Sequence, residues 1–257
     1  MRFNVLILFT FFVTYSGNTT AQVIVSELDE HHTQLDFGYQ VMMIYFNIRP
    51  ADEQFHSRTA GVNLTNVQRS QYANLVKDEI LKLPRTFVSR YVIDNIFFLA
   101  ITVENHIGYH SDDLIVIESR EPDDSKKRIL FHEIAHEVVV KSDWKKEYKE
   151  LEAFFEANRR NTNDLEYASF PDIYETGHSS PYGRKSSEEE FCEIFADLMV
   201  PRKQSPLIEY VRQHPDSVLA IKVKKVIGFF QKNFVSEFNL DYFSNLGHGD
   251  PIARLGR

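Results

Sequence analysis

The chain has 257 residues, 43% of them hydrophobic and 13% aromatic, enough to bury one substantial core. This composition excludes collagen-like and low-complexity classes. A net charge of −8 argues against nucleic acid or an anionic membrane surface as the main partner.

Residues 1–21 read as a secretory signal peptide. Arg2 supplies a positive start, Val5 to Tyr15 form a largely apolar run, and small or polar residues follow to Ala21. The run is shorter than the roughly 20 residues of a membrane-spanning helix. The sequence therefore predicts a secreted protein, cut after Ala21 or earlier near Gly17. Cys192 is the single cysteine, so no intramolecular disulfide forms and the fold must rest on its core and its metal. The N-x-Thr triplets at Asn18 and Asn63 carry little weight, because such triplets arise often by chance.

In chain order, Tyr39 to Phe46 reads as a strand or buried extended segment. Thr65 is suited to cap a helix over 66–83, where Tyr72, Leu75, Val76, Ile80 and Leu83 recur at helical spacing until Pro84. Ile96 to Val103 and Leu114 to Glu118 have strand composition, separated by Gly108 and a polar turn at Ser111, Asp112 and Asp113. Helical periodicity then predicts helices over 128–141, 144–159, 188–200, 206–213 and 216–234, with a long irregular loop over 161–187. Three parts are expected: the signal peptide 1–21, an N-terminal part 22–110 that serves either substrate docking or the catalytic fold, and a catalytic region 111–257.

The chemistry is carried by His132-Glu133-Ile134-Ala135-His136. Histidines four apart share one face of a helix, so both imidazoles reach a single Zn²⁺ at about 2.1 Å. Glu133 lies beside them, placed to take a proton from a metal-activated water. The flanking residues Leu130, Phe131, Val138, Val139 and Val140 are apolar, as in a helix packed into a core; Glu137 is the one charge that departs from this pattern. The bland alternative is a pair of histidines on a solvated face or satisfied within a core.

A metzincin would carry glycine and histidine where Val139 and Ser142 stand, which excludes that class. The third ligand is then expected to be a carboxylate on a later helix. Residues 187–199 form such a helix, with an apolar face of Phe191, Cys192, Phe195, Leu198 and Met199. Acidic residues at its start also suit the helix dipole. Spacing alone leaves Glu188 and Glu189 both open as the ligand.

Tyr182-Gly183-Arg184 followed by Glu189-x-Phe191-x-Glu193-x-Phe195 resembles the catalytic domain of the anthrax lethal factor family, shared by the Pro-Pro endopeptidases. With the His132 motif it spans roughly residues 113–234. The resemblance implies Glu189 as third zinc ligand and Tyr182 as support for the transition state. Glu193 then takes the place of the family's second acidic residue, suited to accept a hydrogen bond from a ligand histidine. His178 is expected to be a loop or substrate-pocket residue, and Cys192 a buried small hydrophobe.

The expected fold class is α+β: a zincin-like metalloprotease with a small sheet packed on an active-site helix and a mostly helical C-terminal half. The expected function is that of a secreted zinc endopeptidase acting on a protein or peptide, which pairs with the edge of strand 114–118. The rivals are an inactive zinc-binding module or toxin subunit, a zinc hydrolase of non-peptide bonds, and a structural protein in which the motif is accidental.

Overall fold

A computed structural model describes residues 24–27, 32–37, 41–46, 59–62, 64–92, 96–102, 107–111, 114–141, 145–159, 170–203, 206–233 and 238–246. The expected signal peptide, the triplet at Asn18 and Asn63 itself lie outside the described residues. No described helix is long and apolar enough to cross a membrane.

The strands are β1 (Ile24–Glu27), β2 (His32–Asp36), β3 (Val41–Tyr45), β4 (Thr59–Gly61), β5 (Ile96–Thr102), β6 (Gly108–Ser111) and β7 (Leu114–Glu118). They form one seven-stranded sheet in the order β1-β2-β3-β5-β7-β6, with β4 paired to β5. The sheet is larger than the small one expected. β3, β5 and β7 run parallel, and the remaining pairings are antiparallel. Strands on both sides of residue 110 thus share one sheet. β7 lies inside the sheet, and Ile115, Val116 and Ile117 are wholly buried, as a parallel strand covered on both faces requires.

That placement corrects one expectation. The edge of 114–118 is covered by β5 on one side and β6 on the other, so it is closed to an incoming peptide. β6 itself was hidden in the sequence, because Gly108 and the following polar residues read as a turn.

The α-helices are α1 (Asn66–Ile80), α2 (Arg85–Phe87), α3 (Asp123–Val140), α4 (Lys145–Ala157), α5 (Phe170–Glu175), α6 (Ser187–Met199), α7 (Leu207–Gln213), α8 (Val218–Asn233) and α9 (Leu240–Ser244). A π-helical turn, Val88–Val92, follows α2. α1 starts at a capping box: Thr65 Oγ1 accepts from the Gln68 amide at 3.3 Å, and Gln68 Oε1 accepts from the Thr65 amide at 3.0 Å. α3 begins five residues before the expected start at 128, because Pro122 precedes it and Asp123 and Asp124 suit its positive end. α5 is a short helix within the segment expected to be irregular.

α3 packs against β6, β7 and most extensively α6. The alternation in Glu189-x-Phe191-x-Glu193-x-Phe195 explains how. Two residues along a helix turn about 200°, so the glutamates and phenylalanines occupy opposite faces. Phe191 and Phe195 stack on Phe230 of α8 with centroids 5.5 and 4.5 Å apart, and Phe131 meets Phe195 edge-on at 6.1 Å. The glutamates are thereby turned toward the histidines of α3.

Candidate metal centre

His132 and His136 bring their Nε2 atoms to 3.2 Å from each other. Glu189 Oε2 stands 3.0 Å from the first and 3.4 Å from the second. Four ligands at 2.0–2.1 Å in a tetrahedron have edges of about 3.3 Å, so these three atoms match one face of such a polyhedron. Two imidazole nitrogens and a carboxylate oxygen converging in this way suit a cation, since neutral imidazoles otherwise oppose lone pairs.

Each histidine has a second carboxylate behind it. His136 Nδ1 bonds Glu188 Oε1 at 2.7 Å. His132 Nδ1 lies 3.1 Å from Glu193 Oε1, an ion-pair distance at an angle short of a hydrogen bond. Glu193 is in turn paired through Oε2 with Arg202 at 2.9 Å and Arg128 at 3.5 Å. Asp197, one turn further along α6, bonds both arginines. Glu188 and Glu189, inseparable by spacing, therefore face different atoms: Glu188 the outer nitrogen of His136, Glu189 the converging Nε2 pair.

The electrostatics favour positive charge here. Burial opposes a charged His132, yet Glu189 and Glu193 outweigh it and hold its pKa well above the usual histidine range. For His136, burial is likewise outweighed, by Cys192, Glu188 and Glu189. Burial raises Glu189 less than the two imidazoles lower it, leaving it at about 2.

Glu133 is buried beside the histidines, and burial raises its pKa against the pull of His132, His136 and His110. Tyr182 is 41% exposed, its ring 5.7 Å from that of His132 and its hydroxyl donating to Glu189 Oε1 at 3.3 Å. Burial, then the charges of Glu189 and Glu133, push its pKa up, so the hydroxyl keeps its proton.

Cys192 is fully buried, but its thiol also approaches the histidines: ligand atoms of His132, His136 and Cys192 lie within 4.8 Å of one another. Three residues after Glu189, it shares that face of α6. Burial raises its pKa, while the Glu189 oxygen stands 3.0 and 3.4 Å from the two Nε2 atoms. His178 is buried, with Nδ1 3.5 Å from Glu190 Oε2.

Sequence reasoning missed Gly108, His110, Arg128, Asp197 and Arg202. The signal for His110 was Glu137, the unexplained charge in α3. Glu137 is wholly buried and pairs with His110 of β6 and Lys141, while the His110 ring stacks on His136 with centroids 6.1 Å apart.

No protein-family model and no curated protein matches this sequence. A crystal structure from Bacteroides caccae, provisionally named a zinc-binding metallo-peptidase, superposes with a TM-score of 0.51 at 12% identity, covering 82% of this chain and 83% of that one. The chain shares that fold. That fold is mixed α/β, and the His132, His136 and Cys192 cluster is a candidate metal group within it.

Proposed function

We propose that the chain is an exported zinc endopeptidase of the lethal factor-like kind, with His132, His136 and Glu189 as metal ligands. The observation that carries this reading is the triangle of two Nε2 atoms and Glu189 Oε2, with edges of 3.0 to 3.4 Å. A divalent metal bound there supplies a Lewis acid that polarises a peptide carbonyl and acidifies water.

The chain's own residues do the rest. Glu133, its pKa raised by burial, accepts a proton from the attacking water and delivers it to the leaving amine. Tyr182, kept protonated, donates its hydroxyl to the developing oxyanion. Glu193 and Glu188 hold the outer nitrogens of His132 and His136 and so fix which ring nitrogen points inward. The intact Glu133 favours catalysis over a purely metal-binding module, which has no use for it.

A protein or peptide substrate suits β6, the terminal strand of the sheet among the described residues, which runs beside Glu133 and His136. An extended peptide pairs there through its backbone; peptides N-methylated at successive positions will lose cleavage where they pair, and uniform cleavage would rule pairing out. The whole reading is tested by zinc content and hydrolysis of a diverse peptide library by wild type and Glu133→Ala. One zinc in each, with cleavage only by wild type, is expected. Equal cleavage by both removes Glu133 as the base, and absence of zinc removes the metal.

A further inference from the structure

The loop between α5 and α6 carries Tyr182, and its backbone is gripped from beneath by buried charge. Glu190, 1% exposed, turns away from the histidines. Its Oε1 accepts from the Ser179 amide at 3.1 Å and its Oε2 from the Ser179 hydroxyl at 3.3 Å. Arg202 donates to the Ser179 carbonyl at 3.3 Å. On the other side of the tyrosine, the Gly183 amide donates to Ser180 Oγ at 2.9 Å. Gly183 passes so close to Glu190 that any Cβ there would strike its carboxylate.

Lys222 of α8, also 1% exposed, sets Nζ 3.4 Å from Glu190 Oε1 and 5.4 Å from the Phe155 ring centroid. An apolar pair of the same volume would hold α6 against α8 equally well or better, because burying two charges costs desolvation. What an apolar pair lacks is an acceptor for Ser179. The lysine neutralises a carboxylate whose remaining contacts all go to the tyrosine loop and to His178.

We infer that the buried Glu190 and Lys222 pair positions Tyr182, fixing the 178–183 loop so that the hydroxyl stays at Glu189 and the metal face. This rests on the catalytic reading of Tyr182 above. The acceptor at position 190, rather than the charge, is the feature that matters.

The test uses the zinc-loaded full chain in five forms: Glu190→Leu with Lys222→Met, Glu190→Gln with Lys222→Met, each of these combined with Tyr182→Phe, and Tyr182→Phe alone. In the Leu/Met form, amide exchange at Ser179 and Gly183 will rise about 10-fold or more. Its kcat will fall about 10-fold or more with KM, zinc content and melting temperature held. The Gln/Met form, which keeps an acceptor, will restore both, and in the Tyr182→Phe background the Leu/Met change will cost nothing further. Unchanged exchange at Ser179 and Gly183, or an equal loss of kcat in both backgrounds, overturns the inference. If Tyr182→Phe alone cleaves at the wild-type rate, the catalytic reading fails and with it the link to catalysis, while exchange still decides whether the pair holds the loop.

Discussion

Gly108 of β6 lies directly against Glu133 of α3: a Cβ built on the glycine would fall 2.6 Å from Glu133 Oε1. The strand and the helix meet so closely that the base has its present position only because residue 108 lacks a side chain. Ile129 crowds the same point. Gly108→Ala is therefore expected to displace the carboxylate and lower kcat about 100-fold, while costing about 1–3 kcal/mol of stability and leaving zinc bound. Steady-state kinetics with metal analysis check this; a wild-type kcat would mean that the carboxylate's placement is not critical.

Glu188 and Glu193 face the outer nitrogens of His136 and His132, away from the converging Nε2 pair. Replacing either by Gln should weaken zinc binding about 10- to 100-fold, because the amide no longer fixes the imidazole tautomer. Competition with a chelator measures the affinity. Wild-type affinity in both variants would reduce them to surface carboxylates.

Tyr182→Phe removes the hydroxyl now 3.3 Å from Glu189 while keeping the ring edge-on to His132. We expect kcat to fall about 100- to 1000-fold, with zinc content unchanged and KM little altered. A rate equal to wild type would make Tyr182 a packing residue.

Glu118, at the end of β7, is a stability element remote from the metal face. It accepts from the Thr102 amide and hydroxyl, each at 2.7 Å, and from Arg120 at 2.8 Å. Burial raises its pKa, and these bonds more than reverse that, bringing it from 4.5 to about 2. A depressed acid pKa gives stability that is present above the unfolded value and lost as pH falls through the folded one. The free energy of unfolding should thus drop between pH 4.5 and 2, by about 1–3 kcal/mol. Glu118→Gln should lack that part of the slope, and parallel pH profiles in denaturant melts would contradict the assignment.

The histidines, Glu133 and the apolar packing of α3 were legible because they depend on helical spacing alone. The distinction between Glu188 and Glu189 was not: both leave the first turn of α6, and only its packing on α3 decides which nitrogen each meets. β6 was lost because its Gly108, needed for the approach of Glu133, reads locally as a turn. His110, Arg128 and Asp197 act through partners 27 to 72 residues away, and such pairs leave no local pattern. The large sheet escaped for a similar reason, since β3, β5 and β7 pair in parallel across long connections.

Glu189, and not the buried Cys192, is expected to complete the zinc site with His132 and His136. X-ray absorption at the zinc edge of the metal-loaded chain tests it most directly. One zinc per chain is expected, bound by nitrogen and oxygen at about 2.0–2.2 Å with no sulfur. A sulfur neighbour at about 2.3 Å, lost on Cys192→Ala, would contradict it.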